Sequence, residues 1–299
     1  MEEERKPTIV GLGEILWDML PGGKVLGGAP ANFAYHCSQL GAESWVVSAI
    51  GEDDPGREIQ EVVEGLKLPS EFLFIAEKYP TSSVTVSLDS EGHPAYSIHE
   101  NVAWDNIPVD QGVLDLVKGA DAVCFGSLAQ RSAISRKSIQ LYLDNAPANC
   151  VKVFDVNLRQ HYFSREILER LLHLANVLKL NDEELFILAK MFSLSGKEVD
   201  MIASLQKSFD LELIALTRGG DGSTLFSNSQ RSDFCSDAVH AVDTVGAGDS
   251  FTAAMTMTYL KGMKMKDMHR LASEIAAYVC TQKGATPEIP YNLIRQVIN

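Results

Sequence analysis

Positive charge is scarce in this sequence. Its 26 lysines and arginines face 40 aspartates and glutamates, a formal net charge of −14. Binding nucleic acid or an anionic membrane needs a basic surface, so neither partner is expected. Cysteine is sparse too: Cys37, Cys124, Cys150, Cys235 and Cys280 are scattered and odd in number. They form no C-x-x-C pair and no Cys/His cluster of zinc spacing. Most lie in apolar segments, which predicts reduced, buried thiols in a cytoplasmic protein. No apolar run reaches the length that spans a bilayer. The charged start M-E-E-E-R-K carries no hydrophobic region of a signal peptide. The P-loop motif G-x-x-x-x-G-K-[ST] is missing, which excludes that class of NTPase. Gly11 and Gly13 are followed by Leu16 where a dinucleotide fingerprint wants glycine, which argues against a nicotinamide oxidoreductase. His36, His99 and His161 show no metal-ligand spacing and read as structural. There is no internal repeat, low-complexity segment or linker.

What is present is a long α/β alternation. The chain has 299 residues, 45% of them hydrophobic, enough for a large core. Residues 8–13 and 45–50 read as strands, with helices starting at Pro30 and near Arg57. Residues 83–88, S-V-T-V-S-L, alternate strictly, 89–93 supply a turn, and 95–99 alternate again. That hairpin leaves the main pattern and predicts a small second sheet. Strands at 122–125, 151–156, 177–180 and 213–216 then alternate with helices at 110–118, 134–145, 165–175, 183–191 and 199–209. Residues 223–227 read as an antiparallel strand, and helices at 268–283 and 291–298 close the chain. The fold class expected is α/β, a mostly parallel central sheet with helices on both faces and a small β excursion.

Residues 242–252, V-D-T-V-G-A-G-D-S-F-T, carry the strongest site signal. Gly246 and Gly248 permit a tight turn, and Asp249 and Ser250 are good residues to open a helix. The apolar, small-residue run 251–260 reads as a buried helix. A glycine turn feeding a helix N-terminus offers free N–H groups and partial positive charge to an anion such as phosphate. Asp249 beside that anion reads either as the base that accepts a hydroxyl proton or as a cap on a core helix.

Ligands collect at the carboxyl ends of parallel strands. Glu14 and Asp18 follow the first strand, and Asp155, Asn157 and Arg159 end another. Asn181 and Glu184 follow V-L-K-L, and Thr217, Arg218 and Gly219 follow L-I-A-L. Gly27 and Gly28, one turn before Asn32, either start a helix or let a ligand approach the backbone. Asn181 and Glu184 have capping-box spacing, or orient Mg²⁺ through its waters. The stretch 217–223 is a hairpin turn or lies along nucleotide phosphates. Arg159 pairs with a phosphate or with a structural carboxylate.

These motifs, taken together, resemble the PfkB (ribokinase-like) family of sugar kinases over nearly the whole chain. The matching pieces stand in that family's order: G-E-I-L-W-D, G-G-A-P-A-N-F-A, D-V-N-L-R, N-D-E-E, L-T-R-G-G-D-G and D-T-V-G-A-G-D. The first two, with the stretch ending in A-W-D, look most like fructokinases; 2-keto-3-deoxygluconate kinases more often carry G-G-D in place of residues 27–29. The resemblance implies one ribokinase-like domain over 1–299, with a β-lid formed mainly by 12–26 and 72–104. It implies ATP and Mg²⁺, Asp249 as general base, and an anion hole from the backbone of Gly246, Ala247 and Gly248. Asp18, Gly28, Asn32 and Arg159 would hold the sugar. Asn181 and Glu184 would serve Mg²⁺–ATP, with Glu184 acting through water. Thr217, Gly219, Gly222 and Gly284 would line the nucleotide, with 283–285 on its adenine side. Asp243 and Val245 match positions that bind a monovalent cation such as K⁺ in some members. The lid would also make a homodimer interface. The activity implied is transfer of the ATP γ-phosphate to fructose; a kinase for ribose or 2-keto-3-deoxygluconate, and a non-catalytic sugar sensor, are the alternatives.

Overall fold

The structure, a computed structural model, describes residues 5–20, 22–88, 94–235 and 241–298. The turn expected at 89–93 lies outside the described residues. Nine strands form the main sheet. In chain order they are β1 (Thr8–Leu12), β4 (Glu43–Gly51), β5 (Leu73–Ala76), β8 (Ala122–Gly126), β9 (Val151–Asp155), β10 (Val177–Asn181), β11 (Leu213–Thr217), β12 (Ser223–Ser227) and β13 (Arg231–Phe234). Their spatial order is β13-β12-β11-β10-β9-β8-β1-β4-β5, parallel except for the pairings of β12 and β13. A second sheet takes β2 (Leu16–Leu20), β3 (Gly23–Gly27), β6 (Ser83–Leu88) and β7 (Pro94–Ile98) in the order β3-β2-β6-β7.

The helices are α1 (Ala29–Gln39), α2 (Asp54–Gly65), α3 (Gln111–Lys118), α4 (Ala133–Asn145), α5 (Arg165–Leu174), α6 (Asp182–Phe192), α7 (Glu198–Phe209), α8 (Ala247–Leu260), α9 (Met265–Cys280) and α10 (Tyr291–Ile298). They cover both faces of the main sheet, as the alternation implies. Period two sends successive strand residues to opposite sides. Val10, Leu12, Leu178 and Leu180 face α3 to α7, while Ile9, Val177 and Val153 face α1, α8, α9 and α10. A third cluster joins Trp17 and Leu26 of the small sheet to Ile59 and Val63 of α2. The Trp17 indole N–H also donates to the Pro55 carbonyl at 3.0 Å.

Four strands have no counterpart in the expected pattern: β2, β3, β5 and β13. The first two lie within the expected 12–26 excursion. They pair antiparallel around a glycine turn, and β2 runs parallel to β6, which makes the second sheet four-stranded. The helix expected at 268–283 is α9, shifted three residues toward the N-terminus. Ser193 and Asp210 adopt left-handed conformations at the ends of α6 and α7, stopping the first before α7 and the second before β11.

Candidate active site

The site stands at the carboxyl edge of the main sheet and is built on α8. Small and apolar residues bury this helix on all sides, with nine consecutive residues, 250–258, inside the protein. Its N-cap is Gly246, at φ 79°. A Cβ there would meet the Ala285 carbonyl oxygen at 2.5 Å, so the turn requires glycine. This corrects the expected helix start: neither Asp249 nor Ser250 opens α8. Asp249 is the third helical residue, and no side chain caps the helix. Gly248 likewise lies inside the first turn rather than before it.

The Asp249 carboxylate is therefore free of capping duty. Its Oδ2 accepts a 2.8 Å hydrogen bond from Nδ2 of Asn32, a buried residue on α1. Asn32 sits one turn beyond Gly28, the N-cap of α1, and its N–H donates to the Gly28 carbonyl. Among the described residues the backbone N–H groups of Gly246, Gly248 and Asp249 have no acceptor; that of Ala247 turns back 3.3 Å to the Thr244 carbonyl. A turn with open amides at a helix N-terminus fits an anion.

Beneath this turn lies a buried charge cluster. Asp155 and Lys179 are register partners on β9 and β10. The ammonium of Lys179 pairs with Asp155 at 3.1 Å, and the Thr252 hydroxyl of α8 donates to the other Asp155 oxygen at 3.1 Å. Lys179 Nζ also lies 3.1 Å from where a Gly248 Cβ would stand, so this glycine lets the lysine close up under the helix. Burial pulls Lys179 toward its neutral form, but Asp155, Glu184 and Asp249 outweigh it and hold the ammonium above its ordinary range. Burial, then the charge of Asp155, pushes the Asp249 carboxyl up to about 6, against the Asn32 bond, Lys179 and Arg159. Glu14, at the end of β1, is pushed to about 7 by burial, and its Oε2 has no partner. Asp18, on β2, is raised by burial and then by Asp243, with Arg159 opposing. A Cβ at Gly27 would stand 2.2 Å from the Asp18 carboxylate, so β3 makes room for it. Arg159 is exposed; among the described residues its guanidinium makes no ion pair and donates to the Leu158 carbonyl.

The other half of the site spans neighbouring strand ends. Asn181 and Glu184 form the capping box: Asn181 Oδ1 accepts from the Glu184 N–H, and Glu184 Oε2 from the Asn181 N–H, both at 2.8 Å. Glu184 Oε1 accepts from the Leu158 N–H at 2.9 Å, which ties α6 to the loop carrying Arg159. Burial raises the Glu184 carboxyl and Lys179 opposes it. Thr217 is the register partner of Asn181. The turn beyond it is a short 3₁₀ segment, Gly219–Asp221, bounded by Gly222. Among the described residues no hydrogen bond joins Gly219 or Gly222 to another expected site residue outside this turn. Asp243 joins two loops, accepting from the N–H groups of Val245 and Gly284, each at 3.0 Å.

Two supports escaped the sequence reading. Lys179 is signalled by one lysine inside the apolar V-L-K-L strand. His36, one turn beyond Asn32, bonds the Ala285 carbonyl at 2.9 Å and so braces the loop against which Gly246 packs. Burial lowers its imidazole to about 4, so the ring is neutral, and the role found is a structural one, as expected.

A doubly covered parallel sheet thus carries a helix turn with open amides and a raised carboxyl at its carboxyl edge, an arrangement of α/β phosphotransferase type. The comparisons give the family. A model of pfkB family carbohydrate kinases matches residues 22–292, and the chain belongs to that family. It is a carbohydrate kinase, a phosphotransferase with an alcohol acceptor. A fructokinase of Salmonella typhimurium is 29% identical over 298 residues, covering 94% of this chain and 95% of that one. A sugar kinase of Pyrococcus horikoshii, solved in complex with ATP, superposes with a TM-score of 0.82 at 27% identity over 97% of this chain and 99% of the other. A fructokinase variant of Vibrio cholerae, solved with fructose, ADP and potassium ion, gives a TM-score of 0.81 at 22% identity over the full length of both. No helix among the described residues is long and apolar enough to cross a membrane.

Proposed function

We propose that this kinase moves the γ-phosphate of ATP to a hydroxyl of fructose, with Asp249 as the base. The observation that carries the reading is the Asp249 carboxylate, held by Asn32 and free of capping duty beside the open amides of the Gly246 turn. Asp249 accepts the proton of the attacking hydroxyl. Its pKa of about 6 leaves it ionised at neutral pH and more basic than an exposed aspartate. The amides of Gly246, Gly248 and Asp249, with that of Ala247 once it leaves Thr244, stabilise the charge on the transferring group. Lys179 adds fixed positive charge below the same turn.

Asp18, Gly28, Asn32 and Arg159 hold the sugar, Arg159 with a guanidinium that pairs with no carboxylate among the described residues. Thr217, Gly219, Gly222 and Gly284 line the nucleotide. Asn181 and Glu184 would orient Mg²⁺, which would neutralise phosphate charge when bound. Both oxygens of Glu184 already accept a backbone N–H, so this carboxylate suits contact through the ion's water shell. The loop of Asp243 and Val245 would hold K⁺, and the carboxylate of Asp243 braces that loop by accepting the Val245 and Gly284 N–H groups.

The small sheet serves as a lid within one 1–299 domain, and its outer face pairs two copies into a homodimer. Buried thiols at Cys37, Cys124 and Cys150 suit a reducing cytoplasm. Fructose is the acceptor favoured by the G-G-A-P-A-N motif and by relatives named fructokinase. The test is coupled ADP release with Mg²⁺–ATP over a sugar panel, with and without K⁺. Selective turnover of fructose is expected. Preference for ribose or 2-keto-3-deoxygluconate moves the acceptor and keeps the mechanism. Sugar binding without any turnover ends the catalytic reading.

A further inference from the structure

A cavity of about 400 Å³ lies outside the chemistry above, at the root of the small sheet. None of Asp18, Gly28, Asn32, Arg159 or Asp249 lines it. Tyr162 at its wall packs on the core of the α3–α7 face of the main sheet, whereas α8 packs on the opposite face. At its base is Arg131, whose side chain is only 7% exposed. The guanidinium lies between the rings of Trp104 and Tyr162, 4.0 and 4.6 Å from their centroids. Its Nε and Nη2 bond the two Asp105 oxygens at 2.8 and 2.9 Å. Its Nη1 is buried and has no partner. The Trp104 indole N–H and both amide atoms of Gln130, the neighbour of Arg131, are buried without partners too. Unpartnered buried groups of this kind are costly, and of these three residues Arg131 alone lines the cavity.

The lining selects the chemistry of an occupant. Arg131 and Asp105 cancel in charge, and Glu100 remains, so an anion is disfavoured. Sugar hydroxyls would pair with the Glu100 carboxylate, the Ser132 hydroxyl and the amides of Asn101 and Asn106 in the lining. Tyr79 and Tyr162 add aromatic surface for a C–H face. The volume falls within the range of small-molecule sites.

We propose that this cavity is a second saccharide site, for a neutral mono- or disaccharide, separate from the acceptor cleft. The site also touches the lid root. Arg131 Nη2 bonds the His99 carbonyl at 2.5 Å, and the Tyr162 hydroxyl bonds the Ile98 carbonyl and Glu100. Asn101, just beyond, is held at φ 55°. A sugar seated there bears on the residues that fix the end of β7.

Saturation-transfer NMR with D-fructose, D-glucose and sucrose tests this on the wild type, on Asp18→Ala, and on Asp18→Ala combined with Ile134→Trp. Ile134 is 52% exposed at the cavity wall, and tryptophan there closes the mouth without disturbing the core. At least one sugar is expected to give signal in the wild type, keep it in Asp18→Ala, and lose it in the double variant. Loss in Asp18→Ala alone, persistence in the double variant, or no signal from any of the three overturns the proposal; so does preferential binding of gluconate. Asp18→Ala as the acceptor-cleft variant rests on the proposed function. Unimpaired ADP release by Asp18→Ala would show that reading, rather than this one, to be at fault. Ile134→Trp alone keeps full turnover at saturating acceptor.

Discussion

Around Asp249 the supports are buried and interlocked. Asn32 holds the carboxylate from α1, Thr252 and Lys179 converge on Asp155 beneath it, and Ala285 closes against Gly246. The small sheet is held differently. Trp17 and Leu26 pack on α2, but Lys24 and Glu58 pair at the surface and Met19 is 41% exposed. Exposed pairs of that kind contribute about 0–1 kcal/mol, whereas a buried charge left alone costs several. The proposed chemistry thus sits where the fold is over-determined, and the proposed selector of the acceptor sits where it is loosely tied.

Breaking the rigid side should give the largest effects. Asp249→Asn is expected to lower kcat by about 10²–10⁴-fold, roughly 3–5 kcal/mol, with the fold intact by circular dichroism; turnover near the wild-type rate would remove Asp249 from the chemistry. Lys179→Met strands Asp155 as a buried charge and should lower stability by about 3–5 kcal/mol in denaturant unfolding. Lys179→Met combined with Asp155→Leu should recover much of that loss, and failure to recover would mean the pair is not the support described.

Glu14 sharpens the contrast through pH. Its folded pKa of about 7 lies above the ordinary 4.5, so the folded state keeps a proton that the unfolded chain loses between those values. Stability therefore falls as pH rises from 4.5 to 7 and is lowest above 7. Glu14→Gln should raise the melting temperature at pH 8, by up to roughly 3 kcal/mol in stability, and change it little at pH 4.5. In the wild type, kcat should fall about tenfold per pH unit below 6 as Asp249 takes up its proton; a limb near 4 would show an exposed-type carboxylate instead. The loose side should give the smallest effect. Asp18→Asn is expected to raise the KM for the acceptor about tenfold, near 1.4 kcal/mol, with kcat changed only a few-fold. An equal fall in kcat would place Asp18 in the rigid half.

Much of the rigid half was legible because its demands are local. A glycine turn before a small-residue helix, an Asn one turn after two glycines, and N-x-x-E after a strand each carry their reason in the spacing. The start of α8 was misread for a physical reason: Asp and Ser are strong N-caps, yet left-handed Gly246 begins the helix and leaves Asp249 free. Lys179 was hidden because its role depends on the β9–β10 register and on α8 lying above it, which no local pattern states. The strands β2 and β3 were obscured by the glycines between them, and β13, R-S-D-F, is a polar edge strand with no apolar alternation.

The small sheet is built from two separate stretches of chain. Strands β2 and β3 leave between β1 and α1, and β6 and β7 leave between β5 and α3. Among the described residues the two halves pair as strands where β2 runs parallel to β6. A part assembled from two distant insertions cannot be gained, lost or transplanted as one cassette, since either half alone lacks its pairing edge. Laboratory redirection of the acceptor selector proposed above should therefore mutate both stretches together rather than graft one.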